Sequence, residues 1–109
     1  MSIDTKIRET VTPIVPDCLP DSYDGAKSVY CTFNYTEIPA LFADDAATET
    51  KYLVQLHLFL PPGRNPIALK KRIRAALSAA EFTTPQITAS NDKDGQHYIF
   101  ECEYAGDED

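Results

Sequence analysis

Tyr52-Leu53-Val54-Gln55-Leu56-His57-Leu58-Phe59-Leu60 decides how the chain is read. Side chains two apart point to the same side of a strand. Tyr52, Val54, Leu56, Leu58 and Leu60 therefore share one fully apolar face, and Leu53, Gln55, His57 and Phe59 share a mixed one. Pro61-Pro62-Gly63 stops the strand. Asn65 suits a helix cap and Pro66 its first position. Leu69, Ile73, Leu77 and Ala80, with Ala76 beside them, then recur at helical spacing. A strand, a break and an amphipathic helix form the central unit, and the helix is expected to cover the face bearing Val54, Leu56 and Leu58.

Upstream, Ile3, Ile7 and Val11 predict a short helix capped by Ser2 and ended by Pro13. Val29, Cys31, Phe33 and Tyr35 alternate with Tyr30, Thr32 and Asn34, which predicts a strand over Ser28–Tyr35. Thr36 to Thr50 carries Glu37, Asp44, Asp45 and Glu49 with little periodicity and reads as a long acidic loop. Its apolar residues, Ile38, Leu41 and Phe42, suit an anchor to the sheet edge or to a neighbouring molecule. Downstream, Gln86–Ser90 is a weak strand and Asn91-Asp92-Lys93-Asp94-Gly95 a turn in which Gly95 is free to take positive φ. His97–Tyr104 is the last strand, and residues 105–109 are expected to be a frayed acidic tail. The expected fold is α+β, a single domain over 1–109. It has the order α-β-β-α-β-β, with a four-stranded, mostly antiparallel sheet and two helices on one face.

With 109 residues and a formal charge of -7 the chain makes a modest core and a poor general nucleic-acid binder. No run approaches the length of a membrane span. Three cysteines, Cys18, Cys31 and Cys102, leave one unpaired in any scheme, so reduced thiols inside a cell are expected. Cys31 and Cys102 fall on inward faces, whereas Cys18 in the proline-rich connection is expected to be the more accessible thiol. His57 and His97 share the polar face but lack the further ligands of a metal site. Asp92 and Asp94 lack the ligand pattern of a calcium loop. No glycine-rich loop follows a strand, and no serine or cysteine has a base placed beside it by sequence. Neither catalysis nor a cofactor is expected.

Two surface features point instead to binding. Tyr30, Leu53, Phe59 and Ile99 put apolar area on the polar sheet face and are the expected contact patch, with Glu101 and Glu103 on the same face. Half of the ten basic residues, Arg64, Lys70, Lys71, Arg72 and Arg74, fall on or just before one helix. Of these, Arg64, Lys70, Lys71 and Arg74 are candidates for contact with an acidic partner or another subunit, and Asp44, Asp45, Glu101 and Glu103 are the candidate acidic contacts for that helix. A solvated helix face and a nucleic-acid backbone are the competing readings of the basic cluster, the latter lacking interleaved aromatic residues.

The run Thr32-Phe33-Asn34-Tyr35-Thr36-Glu37, then Ala43-Asp44-Asp45, then Tyr52 to Phe59, resembles small head–tail connection and tail-completion proteins of long-tailed bacteriophages and prophages. The later Leu69–Leu77 helix, Phe82 and His97-Tyr98-Ile99-Phe100-Glu101 suit the same pattern, so the resemblance spans Ser28 to Tyr104. It departs in two places: Glu81 stands where a Gly-Phe pair is common, and Pro61-Pro62-Gly63 is unusually proline-rich. The resemblance implies a structural virion protein, assembled in the bacterial host cytoplasm. As a tail terminator it would close the tail tube as a homo-oligomeric ring, usually of six subunits. It would contact tail-tube and head-connector proteins and let DNA pass unread. A head-completion protein of the same junction, and a small acidic adaptor or inhibitor, are the alternatives.

Overall fold

The computed structural model describes residues 2–43 and 46–106, and for 40–43 and 46–49 the backbone alone. The elements are α1 (Ile3–Val11), β1 (Cys18–Pro20), β2 (Tyr30–Ala43), β3 (Ala46–Leu60), α2 (Ile67–Ala79), β4 (Gln86–Ala89) and β5 (Gln96–Gly106). The strands form one five-stranded sheet in the order β1-β2-β3-β5-β4. Pairing is antiparallel except between β1 and β2, which run parallel with Cys18 opposite Cys31.

The sheet is therefore five-stranded and mixed, which corrects the four-stranded reading. The missed strand has three residues, ends in a proline that has no N–H to donate, and lies at the sheet edge. A segment that short carries no period-2 signal. Its place also buries Cys18 to 2% exposure, so Cys18 is buried as Cys31 and Cys102 are and is not the accessible thiol expected. Burial pushes all three thiols up, Cys18 to about 12 and Cys102 to about 11.

Ile3, Ile7 and Val11 of α1 and Ile73 and Leu77 of α2 join the inward residues of β2, β3 and β5 in one core. Leu56, Leu58, Phe33 and Phe100 are completely buried there. Both helices thus cover the same sheet face. Ser2 caps α1 as its spacing predicts, its Oγ accepting from the Thr5 N–H at 3.2 Å. At α2, Asn65 Oδ1 accepts from the Ile67 N–H at 3.0 Å.

The end of α2 is a Schellman motif: the Phe82 N–H donates to the Leu77 carbonyl at 3.0 Å and the Glu81 N–H to that of Ser78 at 3.1 Å. Glu81 takes φ 73°, the left-handed conformation that glycine adopts without strain. This turn drives Phe82 into the core.

A second correction concerns residues 36–50. Residues 36–43 and 46–50 are strand rather than loop: β2 runs on to Ala43 and β3 begins at Ala46, with Ala43 opposite Ala46. Asp44 and Asp45 lie outside the described residues. Register shifts on either side of Leu41, next to Pro39, break the alternation by which a strand is recognised in sequence. Likewise Ala105 and Gly106, expected to fray, belong to β5, while 107–109 lie outside the described residues. Nor does Gly95 take positive φ. Asp92 Oδ1 instead closes that turn by accepting from the Asp94 N–H at 2.8 Å and the Gly95 N–H at 3.1 Å.

β5 reaches Gly106 opposite Thr50, so the β2–β3 ladder continues from Pro39 and Thr50 outward with no third strand beside it among the described residues. This two-stranded arm lengthens the molecule to 54 × 24 × 23 Å. The radius of gyration is 14.9 Å, against about 13 Å for a compact chain of this length.

Candidate functional site

With both helices on one side, no element among the described residues covers the other side of the sheet. That face begins with aromatic residues in register. Tyr30 lies opposite Phe59, and Phe59 opposite His97. Their rings stack across the three strands, with centroids 4.8 Å apart for Tyr30–Phe59 and 4.3 Å for Phe59–His97. Tyr23, from the connection before β2, extends the row by stacking on Tyr30 at 4.3 Å. Interplanar angles of 17–20° mean that the rings use their faces on one another. They do not form the platform of open ring faces on which nucleic-acid bases stack.

His57 lies diagonally from His97, and its Nδ1 is 2.8 Å from His97 Nε2. Asn34 Nδ2 lies 3.3 Å from His57 Nε2. Because the Asn34 amide N–H can only donate, His57 Nε2 accepts, and the neutral His57 carries its proton on Nδ1 and donates to His97 Nε2. His97 then holds its own proton on Nδ1. A proton added at either accepting nitrogen turns an acceptor into a second donor and breaks a bond. Both histidines sit below their ordinary value. Burial is the main cause, followed for His57 by the neighbouring His97, while Glu101 beside His57 and Asp92 beside His97 pull the other way. Among the described residues no three histidine, cysteine, aspartate or glutamate side chains converge to hold a metal.

Toward the arm the same face turns polar and acidic. Gln55 Nε2 donates to Glu101 Oε2 at 3.2 Å, and Glu103 pairs with Lys51 at 3.1 Å. Leu53 lies among them, 37% exposed. A shallow hollow of about 610 Å³ opens over Asn34, Leu53, Gln55, Gln86, Glu101 and Glu103. Ile99, half-buried opposite His57, joins the two ends.

The basic candidates lie on the other layer. Lys70 Nζ is 4.5 Å from the centre of the Tyr98 ring, a cation–π contact that holds it against its own sheet. Arg64 sits in the turn before α2, where its carbonyl and that of Pro61 accept from Gln96 Nε2 at 2.7 and 3.0 Å. Lys71 and Arg74 are exposed, and with Ile67, Lys70 and Ile87 they line a groove of about 220 Å³ between α2 and β4. Among the described residues no carboxylate pairs with Arg64, Lys71, Arg72 or Arg74.

The candidate residues thus divide into two surfaces on opposite layers. Tyr30, Leu53, Phe59, Ile99, Glu101 and Glu103 share the uncovered sheet face, whereas Arg64, Lys70, Lys71 and Arg74 belong to the helical layer. Asp44 and Asp45 lie outside the described residues. Two features were beyond sequence reasoning. Tyr23 comes from an irregular connection, and the His57–His97 bond depends on strand register, although shared parity had already put both histidines on one face.

No protein-family model matches the chain, and no curated protein matches it. No helix among the described residues is long and apolar enough to cross a membrane.

Proposed function

We propose that this chain is a structural subunit of the head–tail junction of a long-tailed bacteriophage or prophage, and that it closes the tail tube as a ring. The observation that carries the reading is the uncovered sheet face, where Tyr30, Phe59, Leu53 and Ile99 interrupt a polar strand surface with apolar area. The paired arm beyond β5 supports it, because a hairpin without a third strand is at best marginally stable in water. So does Glu81: the position at which the resembling proteins commonly carry glycine here holds a left-handed backbone. The overall charge of -7 suits a ring through which DNA slides without being held by counterion release.

Electron microscopy of virions and free tails, with the gene intact and deleted, tests the proposal. Deletion leaves heads and tails unjoined, with tails of abnormal length. Normal joined virions without the protein would end the reading. Unjoined heads beside tails of normal length would keep the junction but assign the chain to head completion.

A further inference from the structure

We infer that the β2–β3 arm of one subunit seats in the groove between α2 and β4 of a second copy. This rests on the ring reading and names the contact that builds the ring. Arm and groove match in three respects. The groove floor is apolar: Ile67 is 56% exposed and Ile87 half-buried beside it. The arm carries Ile38, Leu41 and Phe42 in its sequence. The groove wall is cationic, with Lys71 and Arg74 exposed and unpaired among the described residues. The arm sequence from Glu37 to Glu49 holds Glu37, Asp44, Asp45 and Glu49 and no basic residue. Finally, β4 is an edge strand, so its outer backbone groups have no neighbour in the sheet, and β2 and β3 end in a ladder with none either.

Charge decides between the two surfaces that a second copy offers. The uncovered sheet face presents Glu101 and Glu103 at its arm end, and its one nearby cation, Lys51, already pairs with Glu103. An acidic arm is repelled there and attracted to the α2 groove. The contact joins two different surfaces, so it repeats head to tail, and such contacts close into rings when the rotation between copies allows. The uncovered sheet face stays available for a different neighbour in the junction.

The test uses the full-length chain. Its native thiols are buried, so the introduced cysteines are the ones the oxidation reads. A D45C/R74C double variant under mild oxidation is expected to give a ladder of covalent oligomers, while a mixture of D45C with R74C chains stops at dimers. In sedimentation at high concentration, K71E/R74E is expected to weaken wild-type association about tenfold or more. Mixing K71E/R74E with D44K/D45K restores association between the two reversed surfaces. Wild-type association unaffected by these charge reversals, with no ladder from D45C/R74C, would overturn the arm contact while leaving the ring reading intact. A monomeric wild type with no ladder would also overturn it, and the deletion micrographs then judge the ring reading on their own.

Discussion

Strand β3 carries two opposite chemistries on one backbone. On the covered side Tyr52, Val54, Leu56, Leu58 and Leu60 are all buried beneath the helices. On the uncovered side Leu53, Gln55, His57 and Phe59 stay partly open to solvent and are organised by one another, through the aromatic row, the histidine pair and the Gln55–Glu101 bond. The first side is stabilised mainly by removal of apolar area from water, which needs a second layer. The second reaches order without one, by ring stacking and hydrogen bonds that run within a single layer. A surface so arranged is ordered within one layer and still leaves apolar area open to solvent.

This contrast orders the expected effects of substitution. Leu56→Ala should destabilise the chain by about 2–5 kcal/mol, because the side chain is completely buried and its removal leaves a cavity. An unchanged urea midpoint would mean that the helical layer does not pack where described. Glu81→Gly should act in the opposite direction, raising stability by about 0.5–1 kcal/mol as relief of the left-handed strain exceeds the entropy cost of glycine. It tests whether the turn that delivers Phe82 to the covered side is held under strain, and a loss of stability would refute that.

A smaller effect is expected on the uncovered side as the pH falls. The folded-state values of His57 and His97 lie below the ordinary histidine value, so the unfolded chain binds more protons in that interval. Their contribution is complete above about pH 6.5 and is lost as the pH falls from there through the lower folded values. Comparing denaturant midpoints at neutral and mildly acidic pH, a His57→Gln/His97→Gln variant should show a shallower decline than the wild type. An equal decline would show that the pair is not linked to folding. Leu53→Ser should change monomer stability least, within about 0.5 kcal/mol, because the side chain is already partly exposed. If it costs as much as Leu56→Ala, the two sides of β3 are not distinct.

Much of the division between the two sides was legible in residues 52–60 and 97–104. Side-chain parity is a local property of extended backbone, and a strand with one wholly apolar face has only one way to face a core. The helix stripes were legible for the same reason, as were the shared face of Tyr30, Leu53, Phe59 and Ile99 and the clustering of cations around α2. The arm was not, since its register shifts and alanines erase the period on which such a reading depends. Nor was β1, whose three residues acquire strand geometry only by lying against Cys31–Phe33.

The sequence by itself determined which side chains the long strands turn inward, the capped start of α1 at Ser2, and that charge and apolar surface are unevenly distributed. Tertiary structure alone decided the strand order β1-β2-β3-β5-β4 and the parallel β1–β2 edge. It also decided the meeting of His57 with His97, forty positions apart, and the separation of the basic and acidic surfaces onto opposite layers. The physical reason is range: periodicity and capping act over a few residues, whereas register and layer order follow from contacts between segments distant in the chain.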